Sequence, residues 1–544
     1  MLTCAWLTRH RYVRGSTADY DDWAELVGDE SWGSKGMAYY MRKHQTLEPV
    51  DDSITDLTAY PFVGEHHGTS GPCRTSFNPT SLPIEDSVIK AADDACGFST
   101  KPKDPWSGDH IGFYQTLGSV IRTGPKKGMR SYPTRGYFEP NAHRPNLKVI
   151  CESLVHKVLL NGNKAIGAEF SHGGKTYQVK ANKEVIVSGG AVKSPQILEL
   201  SGIGDPEVLK AAGVDVKIDN KGVGANVQDH ATSGTMHWLV PGELSASIMA
   251  VPEALAAAQQ ELMTKQSGPL TCISGVQGFF PYKKYATPEQ LQATVESIKA
   301  IKTTSDFHRK QLDQVIRHLE SDTSANLQLV LLGGIGDFKK GCSDQAQLFN
   351  LALGPEGNCG ISFALCLQYP VARGTIHITS DGKTCDLMLF STALIDVSDP
   401  TKDPAIDPGY MSHPADKHVL GTGLVVADKI AKSQFLAPKL ASRVKPEPEV
   451  DLSDIKQAED FVEDLVLGEY HICGSVAMGD ALDSHLRVKG AEGLRVIDAS
   501  VFPNNVSGNI CSSVYALAEK GADIVKQDNG YAVLDKLAEL SVKA

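Results

Sequence analysis

The sequence predicts an α/β fold with more than one domain. Two short apolar runs lie far apart in the chain, Lys183–Ser188 and Leu494–Ile497, and such runs are typical of buried strands. Each run leads through a turn into a helical pattern, which begins near Ser194 in the first case and at Asn509 in the second. The chain has 544 residues, and this length alone predicts two to four domains.

The remaining elements follow from periodicity and from turn residues. An amphipathic pattern that follows a polar turn, with Ser16 or Thr17 as the cap, predicts a helix. Asn-Gly-Asn at 161–163 predicts a hairpin between two strands. Long helical patterns occupy the middle of the chain. In chain order, we expect a helix at Ala18–Leu26, strands at Asn146–Ile150, Val155–Leu160 and Ala165–Phe170, and helical segments at Pro252–Lys265 and Pro288–Leu319.

Composition excludes several classes of protein. Hydrophobic residues make up 41% of the chain and charged residues 22%, as in ordinary globular proteins. The net charge of −12 argues against a nucleic-acid partner or an anionic membrane surface. The 11 cysteines include no C-x-x-C pair, which indicates neither a disulfide framework nor a zinc site. No apolar run approaches the roughly 20 residues of a membrane span. We therefore expect a soluble protein of the cytoplasm or another intracellular compartment.

Two polar residues near the end of the chain are candidates for chemistry. His471 precedes the second strand–turn–helix unit, and Asn509 lies at the start of its helix. A helix start presents free N–H groups and a positive dipole, which stabilise negative charge. Taken singly, His471 is most often a core histidine and Asn509 a helix cap. The residues around them in the sequence favour a catalytic role for both.

That context resembles the C-terminal signature of the glucose–methanol–choline (GMC) oxidoreductases, flavoenzymes that oxidise alcohols. The segment His471-Ile-Cys-Gly-Ser-Val-Ala-Met-Gly479 is similar to the family's His-x-x-Gly-Ser/Thr-x-x-Met-Gly pattern, and Arg495–Pro503 and Ser507–Asn509 match further family features. The resemblance implies that His471 is the general base and that Asn509 is the second catalytic residue.

A second region resembles the same family. The stretch from Gly189 to Gly204, with SPQILELSGIG, is similar to another family signature, and Lys221–His230 is similar to the segment that follows it. The resemblance implies that FAD is the cofactor and that no metal is bound. It implies FAD contacts at Val155, Gly189, Gly190, Ala191, Asn226, Asp498, Ala499, Asn509 and Ile510.

The resemblance also implies a division of the chain into two domains. Residues 1–35, 141–235 and 470–544 are expected to form a discontinuous, Rossmann-like FAD-binding domain. Residues 36–140 and 236–469 are expected to form a substrate-binding domain with a large antiparallel sheet and helices. The substrate is expected to be a small-molecule alcohol, and the oligomeric state is not predicted.

One family feature is missing from the printed sequence. Members of the family begin with a strand, a G-x-G-x-x-G turn and a helix that hold the pyrophosphate of FAD. Met1–His10 stand where the family has a Gly-rich flavin loop, and the glycines of Leu327–Gly336, Gly202–Gly204 and Gly222–Val227 do not complete the motif. We therefore expect the chain to lack the N-terminal Rossmann unit and to bind FAD weakly.

Three functions are compatible with these patterns. The first is an FAD-dependent alcohol oxidase or dehydrogenase in which His471 takes the hydroxyl proton. The second is a redox-silent relative, a lyase or cyclase, that uses the same pocket for acid–base chemistry. The third is a truncated chain that is not catalytic by itself. The absorbance spectrum of bound flavin discriminates the first from the other two.

Overall fold

The computed structural model describes residues 11–98, 104–272, 275–303, 305–335, 338–344, 353–379, 400–441 and 443–533. The expected α/β fold is confirmed in these ranges. The sequence features assigned to Met1–His10 and to Gly336 lie outside them. No helix within the described ranges combines the length and the apolar character needed to cross a lipid bilayer.

The helices are distributed along the described chain, and several begin with a side chain that caps the first free N–H groups. The α-helices are α1 Thr17–Val27, α2 Ser34–Lys43, α3 Pro83–Cys96, α4 Gly190–Leu200, α5 Pro206–Ala211, α6 Pro252–Lys265, α7 Pro288–Lys299, α8 Asp306–Leu319, α9 Phe338–Ser343, α10 Pro414–Ala431, α11 Ile455–Asp464 and α12 Cys511–Asp528.

The strands range from short pairs to long hairpins. They are β1 Arg11–Tyr12, β2 Gln45–Leu47, β3 Cys73–Thr75, β4 Gly112–Gln115, β5 Leu117–Gly118, β6 Ser153–Asn161, β7 Lys164–His172, β8 Lys175–Lys180, β9 Val185–Val187, β10 Ile203–Gly204, β11 Ile218–Asp219, β12 Ala231–Leu239, β13 Val276–Phe280, β14 Leu327–Leu332, β15 Gly360–Leu367, β16 Thr375–His377, β17 Ala405–Asp407, β18 Arg443–Lys445, β19 Leu467–Gly468 and β20 Leu494–Val496.

Most predicted elements are present, and three predictions need correction. The helix predicted to begin near Ser194 begins at Gly190, so Pro195 lies inside it. The strand expected at Asn146–Ile150 is wrong, because these residues have no strand partner and leave Val149 57% and Ile150 58% exposed. The helical pattern of Pro288–Leu319 is two helices, α7 and α8. Ser305 starts the second, since its side chain accepts a hydrogen bond from the backbone N–H of His308.

The largest sheet is antiparallel and has seven strands. Its order is β18-β12-β15-β14-β13-β4, and β19 pairs with the beginning of β12. Strand β15 is buried along its whole length, and helix α10 packs against it. Apolar side chains of α3, α7, α8 and α10 join those of the sheet in one hydrophobic core. Helices therefore pack against the sheet. The residues that follow β19 lie next to the beginning of β12.

A second core gathers segments that are distant in sequence. It contains buried side chains from α1, from α2, from the hairpin of β6 and β7, and from α12. At its centre, β9 and β20 pair in parallel with Leu494 opposite Val185. These are the strands of the two strand–turn–helix units, so the two units lie side by side.

Asp19 connects the early part of the chain to the loop before α12. Its Oδ2 accepts hydrogen bonds from the backbone N–H and the hydroxyl of Ser507, at 2.9 and 2.6 Å. The same oxygen accepts from the N–H of Ser16, and Oδ1 accepts from the hydroxyl of Tyr369. Asp19 is only 2% exposed. The loop that precedes α12 is thus fixed by a buried carboxylate on α1.

Candidate functional site

The structure brings together the two residues predicted to be catalytic. Nδ2 of Asn509 lies 3.1 Å from Nε2 of His471. Asn509 lies just before α12, whose first turn has no side-chain cap, so the free N–H groups of that turn point toward this region. Oδ1 of Asn509 is buried and has no hydrogen-bond partner among the described residues. A buried acceptor beside an imidazole suits a ligand that carries a hydroxyl group.

His471 is held by its own segment. It comes three residues after β19, and its backbone N–H donates to Oδ1 of Asp229 at 2.8 Å. The hydroxyl of Tyr410 donates to Oδ2 of Asp229 at 2.6 Å. Further along, Gly474 adopts φ +82°, and a Cβ there would lie 2.6 Å from the carbonyl oxygen of Asn226. The glycine of the motif is therefore required by a left-handed conformation and by close backbone contact.

Two further titratable residues contact His471. Nδ1 of His230 lies 2.9 Å from Nδ1 of His471, which is a hydrogen-bond distance. Oε2 of Glu469 lies 3.3 Å from Nδ1 of His471 and 3.7 Å from Nδ1 of His230. That oxygen is buried without a hydrogen bond of good geometry, so its contact with the two rings is mainly one between charges. The cluster therefore consists of a carboxylate beside two imidazoles.

The charges of this cluster alter its protonation. Burial by itself would lower the pKa of His471, but the Glu469 carboxylate outweighs it and raises that pKa above 6.5. For His230, burial lowers the pKa. Burial opposes ionisation of Glu469 as well, yet the two histidines hold its pKa well below the ordinary range. The stable arrangement is an ionised Glu469 next to His471, with His230 neutral.

The same three residues are the group within the described ranges that could hold a metal ion. Their ligand atoms all lie within 4.8 Å of one another. Two imidazole nitrogens bound to one tetrahedral zinc ion lie about 3.3 Å apart, because each Zn–N bond is about 2.0–2.1 Å. The observed separation of 2.9 Å is shorter and fits a shared hydrogen. The geometry favours a hydrogen-bonded pair of histidines over a metal centre.

The predicted FAD contacts at the start of α4 lie next to the segment that follows His471. Gly190 adopts φ +78°, and a Cβ there would meet no atom within 4 Å, so this turn has open space beside it. Oδ2 of Asp498 accepts from the N–H of Gly190 at 2.9 Å and from the hydroxyl of Ser194 at 2.6 Å. The hydroxyl of Ser475 donates to the carbonyl of Ala191 at 2.6 Å. The backbone of this helix start is therefore open to a ligand on the side where a Cβ of residue 190 would lie.

The remaining predicted contacts have different positions. Gly189 precedes the turn, and the N–H of Gly474 donates to the carbonyl of Ala499 at 3.2 Å, which joins the catalytic segment to the end of β20. Ile510 is buried at the start of α12. Val155 is 40% exposed on β6 and is not connected to the histidine cluster by the described contacts.

Asn226 supports the site from inside the protein. It adopts φ +57°, and its Oδ1 accepts from Nε2 of Gln311 at 2.8 Å and from Nε of Arg373 at 3.2 Å. Its Nδ2 donates to the carbonyl of Gly474 at 3.2 Å. These bonds use the polar atoms of Asn226 within the protein, so its observed role is to brace the segment that carries His471.

Sequence reasoning missed four residues of the cluster, namely Asp229, His230, Tyr410 and Glu469. Asp229 and His230 end the stretch KGVGANVQDH, and Glu469 lies two residues before His471. The sequence did contain a signal, because Asp229 and His230 lie in a stretch that resembles the family and Glu469 lies next to another. Their contact depends on the pairing of β19 with β12, which places Gly468 opposite Ala231.

Comparisons with known proteins agree on one family. The family model described as GMC oxidoreductase matches this chain twice, over residues 9–232 with its N-terminal part and over residues 392–518 with its C-terminal part. Together the two matches include His230, Glu469 and His471, and they also include Asp229, Tyr410 and Asn509.

Several curated proteins are similar along nearly the whole chain. Dehydrogenase mpl7 of Monascus purpureus is 35% identical over 536 residues, which cover 96% of this chain and 82% of that protein. GMC oxidoreductase family protein Mala s 12 of Malassezia sympodialis is 28% identical and covers 94% and 77%. An oxygen-dependent choline dehydrogenase of Stenotrophomonas maltophilia is 27% identical and covers 95% and 78%.

Solved structures share the fold. An FAD-dependent oxidoreductase from Chaetomium thermophilum superposes with a TM-score of 0.82 at 23% identity, covering 96% of this chain and 85% of that one. A fungal aryl-alcohol oxidase superposes with a TM-score of 0.79 at 21% identity, covering 95% and 84%. At these identities the likeness establishes the architecture alone.

Proposed function

Because the chain belongs to the GMC oxidoreductase family, we propose that it is an FAD-dependent enzyme that oxidises the CH–OH group of a small-molecule alcohol. The observation that supports this most directly is the pair formed by His471 and Asn509, which places a basic nitrogen 3.1 Å from the amide Nδ2 of Asn509. Bound FAD supplies the acceptor for the hydride that leaves the alcohol carbon.

The residues of the first glycine turn fit such a cofactor. Gly189 precedes α4 and Gly190 and Ala191 begin it, with open space beside Gly190, and Asp498 fixes this helix start through the N–H of Gly190. Ala499 connects this region to the segment of His471. We assign these residues to the flavin side of the cofactor. Val155 is assigned to the adenine side on the resemblance alone.

In this proposal His471 is the general base. Its Nε2 accepts the hydroxyl proton of the substrate, and Nδ2 of Asn509 donates a hydrogen bond to the same substrate oxygen and fixes its direction. In the structure these two atoms lie 3.1 Å apart, close enough for one substrate oxygen beside them to contact both. The uncapped start of α12 stabilises negative charge that develops nearby.

The pKa of His471 sets the expected pH dependence. A base must be neutral to accept a proton, and the Glu469 carboxylate raises the pKa of His471 above 6.5 despite its burial. Activity should therefore be full above this raised pKa and should fall as the pH drops through it. The pH profile of kcat/KM measures this value for the free enzyme.

The first experiment tests both the cofactor and the base. The protein is purified with excess FAD so that the cofactor site is filled, and alcohols of several classes are added without oxygen while the flavin absorbance is followed. We expect an oxidised-flavin spectrum that bleaches with a suitable alcohol. His471→Ala should lower kcat on the order of 10²-fold or more, and Asn509→Ala should lower it less.

The control is His143→Ala, since His143 is exposed and distant from the cluster in sequence. This variant should retain the wild-type rate and spectrum. Failure of the wild-type protein to bind flavin would contradict the proposal and would favour the redox-silent alternative. An unchanged rate for His471→Ala would remove the base assignment while leaving the cofactor assignment in place.

A further inference from the structure

Glu469 is a half-buried residue whose Oε2 is buried beside two imidazoles, and its carboxylate has no direct task in the proposed chemistry so far. Its backbone N–H donates to the carbonyl of His230 at 2.9 Å, which continues the pairing of β19 with β12. This bond fixes the backbone of Glu469 without its side chain. The side chain is therefore free to face the two imidazoles, and its charge contacts both of them.

We propose that Glu469 is a positioning residue for His471: its carboxylate keeps a hydrogen on Nδ1 and stabilises the imidazolium that forms when Nε2 takes the substrate proton. The inference rests on the proposed function, because it gives that proton transfer a charged partner. Glu469 acts through His471 and need not touch the substrate.

The hydrogen bonds of the cluster support one tautomer. Nδ2 of Asn509 is a donor, so Nε2 of His471, 3.1 Å away, accepts and carries no hydrogen. The hydrogen of the neutral ring then lies on Nδ1, where it donates to Nδ1 of His230 at 2.9 Å. Oε2 of Glu469 lies beside that same hydrogen, 3.3 Å from Nδ1 of His471. This tautomer leaves the reactive nitrogen facing Asn509.

The other charged groups around His471 have weaker claims to this role. Asp229 accepts the backbone N–H of His471 and the hydroxyl of Tyr410, so its oxygens are already occupied. His230 is a base itself and its burial disfavours a charge. Arg11 and the thiol of Cys366 interact electrostatically with the Glu469 carboxylate. Glu469 is the carboxylate in contact with the ring.

The decisive variant is Glu469→Gln, which keeps the shape of the side chain and removes its charge. An opposite charge within about 4–6 Å changes a pKa by about 1–3 units. We therefore expect the acidic limb of the kcat/KM profile to move to lower pH by about one unit or more. The plateau value of kcat should fall about tenfold, because the imidazolium loses its partner.

Glu469→Asp tests rescue, since it restores the charge on a shorter side chain. Its acidic limb should return toward the wild-type position. Glu463→Gln is the matched control: Glu463 lies six positions upstream on α11 and forms an exposed ion pair with Lys417. This variant should have the wild-type profile.

A second readout does not depend on turnover. With ¹⁵N-labelled imidazole rings, NMR reports the tautomer and the titration of His471, which is assigned by the loss of its signals in His471→Gln. We expect the wild-type ring to carry its hydrogen on Nδ1 and to titrate above 6.5. In Glu469→Gln its pKa should fall by about one unit or more.

The possible results separate the two proposals. If the wild-type protein oxidises no alcohol but its His471 titration shifts in Glu469→Gln, the proposed function fails and the electrostatic role remains supported. If the protein is active but both the pH profile and the titration are unchanged in Glu469→Gln, this inference is overturned and the proposed function stands. A chelator should leave the difference in His471 pKa between wild type and Glu469→Gln unchanged. If the chelator abolishes that difference, a metal ion is bound in the cluster and this inference is overturned.

Discussion

Asp19 shows at the residue scale how a group outside the histidine cluster determines its geometry. This carboxylate accepts hydrogen bonds from Ser16, Ser507 and Tyr369. The hydroxyl of Ser507 also lies 3.0 Å from Nε2 of His110. Asn509 follows Ser507 by two residues, so the position of its amide depends on these buried bonds. Asp19 is a support of the site that carries no chemistry of its own.

Replacing Asp19 should destabilise the protein strongly. Hydrogen bonds to a charged group contribute about 1.5–3 kcal/mol each, and their donors would be left buried without a partner. We expect Asp19→Ala to lower the free energy of unfolding by on the order of 3 kcal/mol or more. Urea unfolding followed by tryptophan fluorescence measures this change.

Glu25→Gln is the comparison on the same helix. Glu25 pairs with Arg317 at 2.5 Å, but both side chains are about half exposed, at 47% and 52%. An exposed ion pair contributes about 0–1 kcal/mol. The unfolding midpoint of Glu25→Gln should therefore stay close to the wild-type value. Equal losses of unfolding free energy in Asp19→Ala and Glu25→Gln would show that the buried bonds of Asp19 stabilise the protein no more than an exposed ion pair does.

Residues of the site differ in how far the sequence predicts them. His471 and Asn509 lie in local patterns, and the structure places them in contact. Glu469 has no such pattern, because its importance arises from His230, which lies 239 positions earlier. A contact of this kind depends on strand pairing across the large sheet, and periodicity within one segment carries no information about it.

Among the elements, helix α2 ends in a buried histidine that sets a limit on acid stability. Nδ1 of His44 lies 2.9 Å from the carbonyl of Tyr40, and Nε2 lies 3.1 Å from the hydroxyl of Tyr12. The neutral ring satisfies both contacts, donating to the carbonyl and accepting from the hydroxyl. Burial lowers the pKa of His44 to about 3, with Arg14 acting in the same direction.

This lowered pKa predicts the direction of the pH effect. Between pH 6.5 and about 3 the unfolded chain binds a proton at His44 that the folded protein does not bind. Stability is therefore present above pH 6.5 and is lost as the pH falls, by about 1.4 kcal/mol per pH unit for this group. His44→Gln should show a smaller drop in Tm between pH 7 and pH 5 than the wild-type protein.

The control for this measurement is His143→Gln, because His143 is exposed. Its Tm should fall with pH as the wild-type Tm does. Burial lowers the pKa of His110 to about 4, so part of the acid sensitivity should remain in His44→Gln. A drop in Tm that is identical in wild type and His44→Gln would refute the role of His44.

Elements with strong local signals were the ones that the sequence predicted. Helix α1 has a capping box at Ser16 and Asp19, and the hairpin of β6 and β7 turns at Gly162. The failure at Asn146–Ile150 has a physical reason, since an apolar run becomes a strand only where another strand pairs with it. The break between α7 and α8 was signalled by Thr-Thr-Ser, which ends at the cap Ser305.

At the scale of the molecule, the two hydrophobic cores arise from segments that alternate along the chain. The core with α12 draws on residues near both ends and in the middle, whereas the other core lies with the large sheet. The sequence predicted an α/β fold with an antiparallel sheet through its family resemblance, and the comparisons confirm the family. The exact domain boundaries stay a prediction, because no local signal marks where the chain passes between cores.

The hydrogen bonds between α1 and the loop before α12 join segments that are synthesised far apart in time. Ser16 and Ser507 are in contact but lie 491 positions apart. At about 5–20 residues per second, a ribosome needs about 25–100 s to add that many residues. During this time the carboxylate of Asp19 has no loop to bind, so the core with α12 forms after the large sheet has left the ribosome. A chain released after residue 505 should be cleaved by trypsin near Arg14 while its sheet survives, and equal resistance of the full chain and the shortened chain would disprove this order of folding.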